Sequence, residues 1–175
     1  MDNIERLLYR DEIFQNRIIQ PEQISFRREV VEACKKNYCG RYGSCWTCPP
    51  GIGSLDEIKK RFTKYKSAFV FTTLNTLSDS FDLEGINNAR VKTTALLGEI
   101  CSSLRENGVE FTALGCGSCD ICKKCTYPDS PCRFPEKAIP AVEACGIDVV
   151  SLAADIGINY HNGENTVTFF CIIFY

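Results

Sequence analysis

Apolar residues recur along this chain at two spacings, and the switches between them mark its elements. Ile4, Leu7 and Leu8 fall at helical spacing behind polar Asp2 and Asn3, which predicts a short amphipathic helix within residues 3–14. A strand is expected near Ile18 and Ile19, then a second helix capped by Ser25 with Val30, Val31 and Cys34 on one face. Ser54 with Glu57 three positions on forms a capping box, opening a helix whose inward side is Leu55, Ile58, Phe62 and Tyr65. The run SAFVFTTL (67–74), rich in aromatic and β-branched residues, reads as a buried strand. A long helix from about Leu83 to Asn107 turns Val91, Leu97, Ile100 and Leu104 inward and stops at Gly108. VEFTAL (109–114) then alternates as a strand does.

This strand–helix–strand order predicts a β-α-β unit with two parallel strands and a right-handed crossover. Short helices are expected near 140–145 and 148–156. The closing TVTFFCIIFY is apolar without alternation, as in a strand buried on both faces. The pattern therefore predicts an α/β fold in a single domain over 1–175, with a small mixed sheet and flanking helices. Two stretches, 34–53 and 115–135, break every period. They are dense in glycine, proline and cysteine and read as irregular loops.

With 175 residues, 45% of them hydrophobic and 24% charged, the chain can build its own core. A net charge of −2 gives no general attraction to nucleic acid. No apolar run approaches the roughly 18 residues of a membrane helix, so neither nucleic acid nor membrane is an expected partner. The first residues, MDNIERLLYRDE, lack the apolar core of an export signal, and a cytoplasmic location is expected. The single histidine, His161, sits in a turn-like HNGEN and reads as solvated. No Ser–His–Asp set, P-loop or GxGxxG motif is present.

The 12 cysteines change the picture. Disulfides fit poorly with a cytoplasmic chain, and the two-residue gaps between several cysteines suit shared metal ligation better. Cys119, Cys122 and Cys125 offer three thiolates from one tight turn, and Cys132 follows after six residues. The triple C-x2-C-x2-C start is that of bacterial ferredoxins, whereas structural zinc usually takes two C-x2-C pairs across a long loop. A second group comprises Cys34, Cys39, Cys45 and Cys48 within fifteen residues, with Pro49 after Cys48 as in ferredoxin cysteine–proline pairs. Cys101 and Cys171 lie among apolar neighbours and read as core fillers, and Cys145 as packing near a helix end.

Cys34, Cys39, Tyr42-Gly43, Trp46 and Cys48-Pro49-Pro50 are followed by Gly117, Cys119, Cys122, Cys125, Pro131-Cys132-Arg133 and Pro135. Glu143-Ala144 and Gly146-Ile147-Asp148-Val149 complete the series. Together these motifs resemble a cysteine-rich prokaryotic family of predicted metal-binding proteins of unknown function, over most of the chain beyond residue 25. The resemblance implies metal binding and no particular reaction. Its pattern does not require cysteine at Cys45, Cys116 or Cys145, which leaves open whether Cys45 or Cys116 completes the first ligand set.

The expectation is an iron–sulfur protein of an oxygen-avoiding cell, carrying two 4Fe-4S clusters in electron transfer or as a reductase component. It would work with a redox partner protein or a cofactor acceptor. Two alternatives stay open: a four-cysteine zinc module that holds an interaction surface, and an enzyme whose cluster keeps an open iron corner. Tyr42 and Trp46 are read as shields against water. Glu143 is read as a helix-surface carboxylate.

Overall fold

A computed structural model describes residues 3–175; Asp2, part of the polar lead-in noted above, lies outside them. The elements in order are α1 (Asn3–Leu8), β1 (Gln15–Ile19), α2 (Arg28–Cys34), α3 (Leu55–Phe62), β2 (Ala68–Thr76), α4 (Leu83–Glu106), β3 (Thr112–Leu114), α5 (Val149–Ile156) and β4 (Thr166–Phe174). Single 3-10 turns occupy Pro21–Gln23 and Glu143–Cys145. They form one α/β domain.

The sheet has the order β1-β2-β4-β3, and all three ladders are antiparallel. Because β2 and β3 both oppose β4, they run parallel to each other, yet they never touch. The expected β-α-β unit is thus split by β4, and the mixed sheet is replaced by antiparallel pairing throughout. The physical reason lies in β4 itself. Its second half, Phe170 to Phe174, is apolar on both faces and needs cover on both. Only a central position supplies that, and β4 pairs with β2 over the full register from Ala68↔Phe174 to Thr76↔Thr166.

Alternation along β2 and β4 feeds two cores. On one face Val70, Phe170, Ile172 and Phe174 meet Ile58 and Phe62 of α3 and Leu152 and Ala153 of α5. On the other, Phe69, Phe71, Cys171 and Ile173 meet Leu97, Ile100, Cys101 and Leu104 of α4 and Leu8 of α1. The capping box of α3 is present, with the Ser54 N–H donating to Glu57 Oε2 at 2.8 Å and the Glu57 N–H to Ser54 Oγ at 3.4 Å.

Three local expectations change. Helix α1 stops at Leu8, short of residue 14. Helix α2 starts from Arg27 with no side-chain cap, so Ser25 does not serve; the Arg27 N–H donates to Gly146 O at 2.7 Å, and Phe26 bridges to Ile147. Val91 faces outward at 49% exposure, and the buried stripe of α4 runs instead through Ala89, Thr93, Leu96, Leu97, Ile100, Cys101 and Leu104. Thr93 is accepted there because its hydroxyl pairs with that of Thr73 at 2.6 Å.

Two backbone ties place the cysteine loops. Past β3, Gly115 donates to Pro140 O at 2.8 Å and accepts from the Val142 N–H at 3.0 Å. Residues 116–139 therefore leave the sheet and return to the same point. The Arg27–Gly146 tie fixes α2, and with it the start of the first cysteine loop, beside the turn at Glu143–Cys145.

Candidate metal centre

The first cysteine loop hangs between α2 and α3 and is braced by its own backbone. Asn37 Oδ1 accepts from the Tyr42 N–H at 2.9 Å, Gly43 donates to Pro49 O at 2.9 Å and Ile52 to Cys48 O at 3.1 Å. In the second loop, Thr126 Oγ1 donates to Pro131 O at 2.8 Å and Arg133 Nη1 to Lys124 O at 3.1 Å. Arg133 thus holds its own loop, and an Arg90–Asp120 ion pair at 3.3 Å moors that loop to α4.

The loops dock on each other. The Cys119 N–H donates to Thr47 Oγ1 at 3.4 Å, and the indole of Trp46 donates to Ser130 O at 3.0 Å while meeting Tyr127 edge-on at 4.9 Å. Gly51 lies at this seam. A Cβ there would sit 2.7 Å from Cys45 O and 2.8 Å from the Tyr127 ring. Gly51→Ala is therefore expected to push the loops apart, at a cost of about 1–3 kcal/mol. Urea titration of wild type and variant checks this, and a variant of unchanged midpoint would mean that the seam yields freely.

Docking regroups the thiols. One pocket is lined by Cys119, Cys122, Cys125 and Cys132 together with Cys45, and its rim includes Trp46, Ile121 and Phe134. The other, a cavity of about 200 Å³, is lined by Cys34, Cys39 and Cys48 with Tyr42, Pro49, Gly117, Ser118 and Glu143. Spacing alone groups Cys45 with Cys34, Cys39 and Cys48; the fold puts its side chain on the wall between the pockets. It is buried, 3.6 Å from the Thr47 hydroxyl. Cys116 points elsewhere, 3.9 Å from Thr94 Oγ1 and 3.8 Å from Arg90 O. Cys101 and Cys171 fill the α4 core, and Cys145 the other. All twelve cysteines are free thiols.

Electrostatics distinguish these thiols. A hydrogen bond from the Cys48 thiol holds Cys45 well below the usual thiol range, with further help from Thr47 and Arg41, and the same bond drives Cys48 upward. Burial, then the neighbouring thiols, raises Cys34 and Cys119. A metal group bound through these thiols would release their protons and bind less well as pH falls. Burial pushes Cys101 up to about 11 and Cys145 up to about 12, which leaves both inert. Glu143 is exposed as a residue, but desolvation at its carboxyl still raises it above the ordinary carboxylate range.

The donor set suits a thiophilic metal group, since eight of the nine lining residues that could ligate are cysteines, Glu143 being the other. Among the described residues no three His, Cys, Asp or Glu side chains close on one ion position. The thiols surround spaces. In the five-thiol pocket that space is only about 20 Å³, room for about one water, so a larger group must part the loop to enter. Thr47 and Ser130 are parts of this arrangement that spacing did not reveal; only the docking of two loops gives them a role.

Fold and site together define a cysteine-rich α/β protein with two adjoining thiol-lined pockets. The chain belongs to the predicted metal-binding protein family DUF2284, whose model matches residues 17–175. No curated protein and no solved structure matches it. Among the described residues no helix is long and apolar enough to cross a membrane.

Proposed function

We propose that the protein binds two 4Fe-4S clusters, one in each pocket, and transfers electrons through them. The observation that carries this reading is the gathering of eight cysteines into two pockets with one shared wall. Cys119, Cys122, Cys125 and Cys132 would hold one cluster. Cys34, Cys39 and Cys48 would hold the other, with Cys45 between them. When bound, such clusters accept and release single electrons at potentials set by burial and hydrogen bonding.

The chain's own residues serve that chemistry in three ways. Trp46, backed by Tyr127, and Phe134 crowd water from the five-thiol pocket, and Pro49 does so beside Cys48. Thr47 and the main-chain N–H groups stabilise negative sulfur. Exposed Lys123 and Lys124 lie beside Cys122 and Cys125, where they offset thiolate charge and offer a docking point to a redox partner protein or a cofactor acceptor.

Iron, acid-labile sulfide and zinc are to be counted on protein purified without oxygen, with an electron paramagnetic resonance spectrum after reduction. About eight irons and eight sulfides, with interacting spins, are expected. A second reading, a four-thiolate zinc at the Cys119–Cys132 loop, is favoured by the small space there. Zinc without sulfide would establish it and end the electron-transfer reading.

A further inference from the structure

Two thiols that line neither pocket lie beside each other at the root of the second cysteine loop. Strand β3 ends on the pair Leu114↔Ile172, so the chain leaves the ladder next to Cys171 and reaches Cys116 two residues later. The Cys116 side chain turns toward α4, with Sγ 3.8 Å from Arg90 O and 3.9 Å from Thr94 Oγ1. Cys171 belongs to the core on that same face of the sheet, packed with Phe69, Phe71, Leu97 and Ile173. The Cys171 thiol donates a hydrogen bond to Cys116 across the gap.

The partners are unlike. Cys171 has no solvent contact, whereas Cys116 is half-buried and lies past the end of the ladder, so its side chain can turn without breaking a β3–β4 pair. The hydrogen bond from Cys171, opposed by burial and helped by Thr94 and the Arg90 charge, holds the Cys116 thiol below its usual range. That bond and burial drive Cys171 upward. A thiol that ionises readily within reach of a small solute, with a second thiol against it, is the arrangement in which oxidation stops at a disulfide.

We propose that Cys116 and Cys171 form a peroxide-reactive dithiol, in which Cys116 attacks the oxidant, Cys171 resolves the product, and a disulfide ties the loop's root to the central strand. The Cys116 sulfur attacks one oxygen of the peroxide; an S–O bond forms, the O–O bond breaks, and the departing hydroxide takes the Cys116 proton to become water. The Cys171 sulfur then attacks the Cys116 sulfenic acid, an S–S bond replaces the S–O bond, and the second hydroxide leaves as water with the Cys171 proton. Two thiols lose two electrons and one hydrogen peroxide becomes two waters. None of these steps uses a pocket thiol, so the inference is independent of the two-cluster reading.

Peptide mapping by mass spectrometry tests this on protein purified without oxygen, with whatever metal it carries, after brief exposure to hydrogen peroxide and alkylation. A peptide pair joined through Cys116 and Cys171 is expected, lighter by two hydrogens and separated again by dithiothreitol. Cys116 should lose its free thiol on the order of tenfold faster than Cys101, a buried thiol of the same core. In Cys171→Ala, Cys116 should halt as a sulfenic acid that dimedone captures; in Cys116→Ala, Cys171 should stay reduced. Linkage of Cys116 to Cys119 instead would overturn the role of Cys171. Loss of the Cys116 thiol no faster than that of Cys101 would overturn the proposal as a whole, and this wild-type comparison requires no variant to fold.

Discussion

On the two-cluster reading, a chain in which both Cys122 and Cys45 are alanine is expected to hold one metal centre in place of two. Five thiols line the pocket that receives Cys119 to Cys132, and a cubane takes four. Removing Cys122 alone leaves four, with buried Cys45 at hand to fill the place; removing both leaves three. Iron and sulfide should fall by about half in the double variant. Full metal content in the double variant would show that these thiols are not the ligands.

The largest loss of stability is expected from Phe62→Ala. Phe62 ends α3 fully buried, stacked on Phe174 at 4.6 Å and on Phe26 at 5.9 Å. It joins the helix, the central strand and the segment leading into α2, so no single neighbour can collapse into the space it leaves. A cost of about 3–5 kcal/mol follows for such a cavity. Against a total that is commonly 5–15 kcal/mol, this brings the chain close to unfolding at ordinary temperature. Urea denaturation of metal-free protein measures it, with Phe81→Ala as the control. Phe81 is 88% exposed and its loss should leave the midpoint where it was.

Hydrophobic period made the long elements of this fold legible. Helix α4 and strands β2 and β4 were readable because each repeats its pattern over many residues, and the buried character of β4 followed from its unbroken apolar run. What period does not carry is the order of strands. Nothing in VEFTAL or SAFVFTTL tells which of them β4 will separate, because the partner is chosen by cover on both faces, a property of the assembled layers. The capping failure of Ser25 has a similar origin: a backbone contact from a segment more than a hundred residues away set the helix start instead.

The candidate site was legible in the same uneven way. Close spacing revealed which cysteines share a loop, and the tight Cys119–Cys122–Cys125 series is gathered into one pocket. Spacing is blind to the direction in which a loop turns each side chain: Cys45 keeps its sequence neighbour Cys48, to whose thiol it is hydrogen-bonded, yet it also lines the pocket of the Cys119–Cys132 loop. Glu143, read as a surface carboxylate, is exposed in the fold. Its neighbour Cys34 arrives through α2, 109 residues earlier.

The Thr47, Trp46 and Gly51 seam has a thermodynamic consequence. Two loops that lie on each other share their ordering entropy: whatever rigidity one metal group imposes on its own loop is rigidity the adjoining loop no longer has to acquire. On the two-cluster reading, occupancy at the two pockets is then linked, and the linkage is reciprocal, so each site strengthens the other by the same factor. The protein would pass between empty and doubly filled forms with little half-filled material between, which keeps exposed, partly ligated thiols scarce.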